Sequence, residues 1–395
     1  MSGSPAAQPQ LRVLLAFDSF KGSLTATDAC AAAASRIRHR FGDDVAVTSI
    51  PLADGGEGSL ELLHERRGLA PVVVDSVDAI GRPIEVEYLI DVEGRAAYIE
   101  VARVVGLPAI PVEARRPLTA SSFGVGLVVA DAIRRGAERL VVFLGGSATT
   151  DGGAGILTAL GARLLDAEGQ DLPPGGSGLQ QLDRVDVSGL LPGVDGTRWT
   201  FVADVEAPLL GPTGAALNYS PQKGATPAEA EALERALAHA ADVLEAASER
   251  DLRSRPGSGA AGGMQMFPAT LFDAEMIPGG PFLAREFGVV QELERTDLVI
   301  TGEGRFDAQS LDGKVVGTLA NAVAASARRP ALVVVAGDVT EAERLRDSGG
   351  LAAVAGVFSI AESAATLAEL QADVAELLAR RVAEIVSVVL SCPRQ

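Results

Sequence analysis

The stretch LLAFDSFKGSLTATDACAAAASRIRHR, Leu14 to Arg40, changes character twice. It is apolar through Phe17, then sets an acid, a hydroxyl, an aromatic, a lysine, a glycine and another hydroxyl in consecutive positions, and then becomes alanine-rich. The apolar part has the composition of a buried strand. The alanine-rich part starts as a helix, because Thr25 can cap it with Asp28 three residues on, and it ends with Arg38, His39 and Arg40 where basic side chains favour the helix carboxyl end. Strand, polar loop and helix in that order form the repeating unit of an α/β protein, with the loop at the strand's carboxyl end.

The same unit recurs along the 395 residues. Apolar, β-branched runs fall at 11–17, 45–52, 71–77, 139–145, 197–205, 297–302, 330–337 and 352–360, many followed by helix-length alanine-rich stretches. Between about 75 and 100 the texture differs, since RPIEVEYLIDVEGRAAYIEVA alternates charged and apolar residues about Glu93-Gly94, which predicts an antiparallel hairpin. Residues 169–196 read as a long Gly/Pro connection, and 226–250 as an acidic helix with a Thr-Pro start. A further helix is expected over 315–327, and 362–390 as a closing amphipathic helix. The buried-strand texture returns from 297. The expected organisation is a discontinuous first domain, 1–75 plus 290–395, interrupted by a second domain over 76–289.

Composition excludes several functions. Fifty-two acids against 34 Lys and Arg give a net charge of -18, a field that opposes nucleic acid and anionic membrane surfaces as main partners. Cys30 and Cys392 lie at opposite ends of the chain in no ligand-like spacing, which fits a reducing compartment. The opening MSGSPAAQPQ lacks the features of a signal peptide and reads as a short disordered tail, and no apolar run reaches the roughly 18 residues of a membrane span. A cytoplasmic protein, monomer or homodimer, is the expectation.

Four strand ends carry glycine-rich polar loops: DSFKGS, ADGGEGS, GGSATTDGGAG and TGEGRFDAQSLDGK. Glycine lets backbone amides approach an anion, and a following helix adds its positive end. None is a Walker A loop, because Gly304 and Gly313 are too far apart and Lys314 precedes Val315 where a hydroxyl would be needed. No GxGxxG opens a helix after the first strand. His39, His64 and His239 fall on helix surfaces with no mutual spacing, which argues against a His-held metal or a Ser-His-Asp triad. The loops do hold what phosphoryl transfer requires, namely cations, metal-binding carboxylates and a carboxylate to orient a hydroxyl: Lys21, Lys314, Arg305, Asp54, Glu57, Asp151, Asp204, Glu303 and Asp307.

Six co-linear motifs, DSFKGSLTA at 18–26, PLADGGEGS at 51–59, LGGSATTDGGAGILTALGARL at 144–164, PQKGA at 221–225, GSGAAGG at 257–263 and DLVITGEGRFDAQSLDGK at 297–314, resemble the two-domain bacterial glycerate kinase family over nearly the whole chain. The resemblance implies an α/β fold in which a Rossmann-like, mainly parallel three-layer domain is interrupted by a second α/β domain with a mixed sheet, with the active cleft between them. It implies phosphorylation of D-glycerate from ATP with Mg2+, usually at the 2-hydroxyl. The departures are Glu206 and Ala207 for an acid and an amide, Gln265 for a glycine, Arg103 for a small or polar residue, and no proline after GK at 313–314. These leave a kinase for another small hydroxy acid as one alternative and a catalytically silent metabolite-binding homologue as another.

Each candidate residue carries a plain reading beside the functional one. Lys21 is either a solvated lysine or the cation that neutralises a phosphoryl or carboxylate group, and Asp204 either caps a turn or orients the reacting hydroxyl. Ser19, Asp54, Gly55, Gly56, Ser147, Thr149 and Lys223 are the expected substrate contacts, with Thr150 beside them, although Asp54 could cap the helix near Glu57 and the 147–150 hydroxyls could serve turns. Gly302, Glu303, Gly304, Asp307 and Lys314 are the expected nucleotide contacts, and Asp54 with Asp307 the expected metal ligands.

Overall fold

The computed structural model describes residues 11–392, apart from 57, 94, 249, 312–313, 341–351 and 362–370. The expected amino-terminal tail, Glu57, Gly94, Gly313 and the opening of the last helix lie outside the described residues. The chain forms two compact units, Met1–Asp54 with Gly279–Gln395, and Gly55–Pro278.

The first unit is built on five parallel strands in the order β15-β13-β11-β1-β2, where β1 is Leu11–Phe17, β2 Val45–Ser49, β11 Leu298–Gly302, β13 Ala331–Ala336 and β15 Val354–Ser359. Strand β1 pairs in parallel with β11 on one side and β2 on the other, so the direction in which strands are added reverses between β1 and β11. Leu11, Val13, Leu15 and Phe17 pack with Ala29, Ala33 and Ile37 of α1 (Ala26–Phe41) and with Leu378, Val382 and Val386 of the helix Val374–Ser391. On a second cluster Val334 and Ala336 of β13 pack with Phe306 and with Val316 of the helix Val315–Ala325. Helices therefore line the sheet as a buried parallel sheet requires. Each fully buried Leu, Val or Phe contributes about 1.5 to 3 kcal/mol. Helix α1 starts as its sequence predicts, with the Asp28 amide donating to Thr25 Oγ1 at 3.1 Å and the Thr25 hydroxyl donating to Asp28 at 2.8 Å.

The second unit holds a six-stranded mixed sheet in the order β10-β9-β6-β5-β4-β3. The run near 71–77 is β3 (Ala70–Val77), antiparallel to β4 (Pro83–Asp91), which is in turn antiparallel to β5 (Ala96–Glu100). Strands β6 (Arg139–Phe143), β9 (Arg198–Val202) and β10 (Asp273–Ile277) extend it in parallel. Its core centres on Trp199, fully buried and stacked on Phe272 with centroids 5.5 Å apart. The indole N–H, which must be satisfied once buried, donates to Thr197 Oγ1 at 2.8 Å. The acidic helix, Pro227–Ser248, is capped by Thr226 and Glu229 in a capping box and buries Leu233, Leu237, Ala240 and Leu244. Among the described residues no helix is long and apolar enough to cross a membrane.

Candidate functional site

In the first unit the polar groups gather where β1 and β11 end, at the reversal of strand order that in open α/β sheets marks the ligand crevice. The Asp18 amide donates to the Gly302 carbonyl at 2.9 Å, and Leu52 donates to Phe17 O at 2.9 Å, which leads the chain after β2 toward Asp54. Gly302 cannot carry a side chain, since a Cβ there would stand 1.7 Å from Val335 O. Gly304 passes close to the backbone of Phe20 and Lys21, with its Cβ direction 3.4 Å from the Lys21 amide nitrogen.

Asp18 lies buried in this group, and its pKa is pushed up to about 8, first by burial and then by the charges of Asp54 and Glu303. Glu303 is raised for the same reasons, burial first, with Lys314 pulling it back and Asp307 and Asp54 adding to the rise. Glu303 Oε1 is buried and makes no hydrogen bond among the described residues. Two buried carboxylates raised in this way, with Asp54 acting on both, suit a site that receives positive charge. Asp307 is anchored by its own loop: its amide donates to Ser310 Oγ at 3.0 Å, and its carboxylate accepts from the Gln309 amide at 2.9 Å. Lys21 and Ser19 are exposed, Lys21 in the turn closed by the Phe20–Leu24 bridge, and the Ser19 amide donates to Asp18 Oδ1 at 2.6 Å. Lys314 occupies the cap position of the helix Val315–Ala325. Arg305 is shared between Asp307 and Asp338, 3.8 Å from each.

In the second unit the loops converge beyond the carboxyl ends of β6 and β9. Gly55 has φ +86°, and the Cα of Gly56 lies 3.1 Å from where a Cβ on Gly145 would stand, so the 55–56 and 144–153 loops touch backbone to backbone. Gly262, φ +73°, abuts Thr149 O and Thr150 Cα, where a Cβ would approach to 2.2 and 2.6 Å. Its carbonyl accepts from the Gly152 amide at 3.1 Å, and Gly259 donates to Ala207 O at 2.9 Å. The GSGAAGG segment thus joins the 149–152 loop to the 204–209 loop that follows Asp204. Asp204 itself is half-buried just past β9.

Lys223 is the buried cation of this group. Its ammonium donates to Thr149 O at 2.6 Å and to Ser147 Oγ at 3.3 Å, and burial lowers its pKa to about 8 against the opposing pull of Asp151. Thr149 Oγ1, Thr150 Oγ1 and Ser220 Oγ are buried beside it with no hydrogen-bond partner among the described residues. Unpaired buried hydroxyls are costly, so each takes a ligand or an ordered water as partner. Asp151 is spent internally: it accepts from the Ser122 amide at 2.7 Å, the Ser122 hydroxyl at 2.9 Å and the Gly153 and Gly155 amides at 3.3 Å each. It fixes the loop at the start of α5 (Ala154–Ala159), and burial raises its pKa despite these bonds.

The structure therefore brings Asp54, Gly302, Glu303, Gly304 and the 18–21 turn together in one unit, and Gly55, Gly56, Ser147, Thr149 and Lys223 in the other. Helix α2 (Ser59–Arg67) is not capped by Asp54; its cap residue is Gly58, and the Ser59 hydroxyl donates to Gly56 O at 2.8 Å. Asp18 is the residue the sequence reading passed over. The signal was present, an acid directly after a buried strand, but Lys21 and Ser19 drew the assignment. Of the departures from the family pattern, Glu206 is exposed and Gln265 and Ala207 are buried. Arg103 is engaged by Glu100 at 2.9 Å, Glu87 at 3.3 Å and Glu61. It is the counter-ion of the buried Glu100, which removes Arg103 as a reason to expect a different substrate.

Among the described residues no group of three or more His, Cys, Asp or Glu is placed to hold a metal ion by itself. Mg2+ is ordinarily held by one or two carboxylates plus phosphate oxygens and water, and the unpaired Glu303 Oε1 among mutually repelling acids fits that mode.

The glycerate kinase family model matches residues 13–390. The chain is 36% identical over 359 residues to a glycerate 2-kinase of Escherichia coli K12, covering 91% of this chain and 93% of that one. It is 35% identical over 376 residues to a glycerate kinase of Bacillus subtilis 168, covering 95% and 97%. A crystal structure of a candidate glycerate kinase 2 from Salmonella typhimurium LT2 superposes with a TM-score of 0.83 at 33% identity, covering 96% of this chain and 98% of that one. Matched along almost its whole length in sequence and in fold, and carrying the buried cation, carboxylates and glycine loops that phosphoryl transfer calls for, the chain belongs to the glycerate kinase family and is a kinase.

Proposed function

We propose that the protein transfers the terminal phosphoryl group of ATP to D-glycerate with Mg2+, at the 2-hydroxyl in preference to the 3-hydroxyl, in the cytoplasm. The observation that carries the reading is the trio Asp18, Asp54 and Glu303 at the strand-order reversal of the parallel sheet, two of them raised by burial and mutual repulsion. The name of the 36% identical relative supports the 2-position.

Glu303, Asp54, Asp18 and Asp307 would hold Mg2+ directly or through water. Held there, the ion would offset the negative charge of the phosphate groups. Gly302 and Gly304 give the nucleotide close access to backbone, and Lys314 adds a cation beside Glu303. Lys21 neutralises charge on the transferred group. Ser147, Thr149 and the amides of Gly55 and Gly56 bind the acid, with Lys223 holding their loop in place. Asp204 accepts the hydroxyl proton as the new P–O bond forms and the bond to the leaving ADP oxygen breaks.

The test is to incubate the purified protein with Mg-ATP and D-glycerate, follow ADP release and identify the product by phosphorus NMR, with L-glycerate and tartronate as comparison acids. D-glycerate-dependent release with 2-phosphoglycerate as the single product is expected. A tenfold preference for another acid, or ATP binding with no release, would remove this reading.

A further inference from the structure

The second unit contains a cavity of about 580 Å³ whose lining takes in Ala154 and Gly155 at the end of the GGSATTDGGAG loop but none of Gly55, Gly56, Ser147, Thr149 or Lys223. It is too large and too apolar for a three-carbon hydroxy acid, and lies within the range of pockets that enclose ligands of several rings or chains. Its walls are Ile80, Phe123, Leu164, Leu172 and Leu179. Phe123 is 38% exposed although it is a large aromatic, an arrangement that leaves its ring facing open space at the start of α4 (Phe123–Arg134).

The charges of the lining are unequally matched. Asp78 accepts from the Ile80 and Arg82 amides and from Arg82 Nε at 2.5 Å. Asp171 is held by both Arg163 Nε and Nη2, at 2.8 and 2.9 Å. Arg116 has no carboxylate partner among the described residues: its Nη1 donates to Glu113 O and Arg115 O, at 3.1 and 2.9 Å, while Nε and Nη2 make no hydrogen bond. Arg116 lines the cavity with its Nε–Nη2 edge unbonded, while the acids of the lining are already neutralised. That edge matches a carboxylate in a planar, two-bond pairing.

We infer that this cavity is a second ligand site, taking a monocarboxylate with an apolar body, its acid on Arg116 and its body against Phe123, Ile80 and Leu172. The site adjoins the reaction loop from behind. Ala154, Gly155 and Thr158 of α5 form part of its wall, and Ser121 and Phe123 flank Ser122, whose amide and hydroxyl hold Asp151. A ligand there presses on the residues that fix the 147–155 loop, so its occupancy alters that loop.

The experiment uses the full-length protein, with 3-phenylpropionate, its neutral amide and propionate as probes, followed by titration calorimetry with and without saturating D-glycerate. Expected is saturable binding of 3-phenylpropionate, at least tenfold tighter than the amide or propionate, that persists in the presence of saturating glycerate. Arg116→Gln is expected to abolish the preference for the acid over the amide, and Phe123→Ala to weaken both aromatic probes at least fivefold. Both side chains are at the surface, so circular dichroism should be that of the parent. Saturating 3-phenylpropionate should also change amide hydrogen exchange at 151–158. No saturable binding, binding insensitive to both substitutions, or displacement of the probe by glycerate would each overturn the inference.

Discussion

At the scale of single residues, burial decides what the charged groups do. Burial and the charges of Asp54 and Glu303 push the Asp18 carboxyl up to about 8, so at pH 7 Asp18→Asn replaces a largely protonated group in a crowded cluster by a neutral amide. Its stability is expected to stay the same or rise by about 1 kcal/mol, while kcat/KM for Mg-ATP falls at least tenfold, read by urea denaturation and steady-state kinetics. Lys223→Met removes the two bonds to the 147–149 loop, and KM for glycerate is expected to rise at least tenfold with little change in KM for ATP. Because folding lowers the lysine pKa from 10.5 to about 8, the folded state sheds its proton first, and the group's penalty on stability is full below pH 8 and is relieved as the pH rises toward 10.5. The stability of the parent relative to Lys223→Met is thus expected to climb between pH 8 and 10.5. Asp297 behaves in the opposite sense. Burial alone would push it up, but bonds from Arg12 and Arg328 hold it well below the usual carboxylate range. Its stabilisation is present above pH 4 and lost in stronger acid, and because Arg12 and Arg328 are solvent-exposed the pairing is screened, so Asp297→Asn is expected to cost about 1 to 2 kcal/mol at pH 7 and progressively less as the pH falls below 4.

At the scale of elements, the strands and helix starts were legible because their causes are local. The β-branched runs that predict strands became β1, β2, β6, β9, β11, β13 and β15, and the Thr25 and Thr226 caps formed where the spacing put them. The site was legible as a set of loops but not as two clusters. Asp18 and Glu303 act on each other because β1 lies beside β11, an adjacency between residues nearly 300 positions apart that no local pattern encodes. Lys223 was an expected ligand contact with a surface charge as its plain alternative, and its burial could not be read, since the hydroxyl and carbonyl that hold it come from a loop some 75 positions earlier. The glycines were visible in the sequence, while the reason for each appears only in three dimensions. Gly262→Ala drives a Cβ into Thr149 and Thr150 from a left-handed backbone, and is expected to cost about 2 to 4 kcal/mol and most of the activity, measured by thermal denaturation and turnover.

At the scale of the whole molecule, the two units have separate cores, and Trp199, the single tryptophan, is buried in only one of them. Tryptophan emission therefore follows the unit Gly55–Pro278 alone, while far-ultraviolet dichroism follows both. Destabilising the other unit, with Ile300→Ala in the middle of β11, is expected to shift the dichroism curve in urea to lower denaturant by more than the fluorescence curve. Coincident curves that shift equally would mean that the units unfold as one.

The placement of β1 between β2 and β11 also has a consequence for a chain as it leaves the ribosome. Strand β1 emerges first, yet one of its two partners is separated from it by some 285 residues, as the Thr301 hydroxyl bond to the Ala16 carbonyl illustrates. At translation rates of about 5 to 20 residues per second, β1 and β2 wait roughly 15 to 60 s with an apolar edge open, while all of Gly55–Pro278 is synthesised and becomes free to fold. The nascent chain is most exposed to wrong pairing in that interval, and the strand that ends at the buried Asp18 is the part that must be sheltered longest.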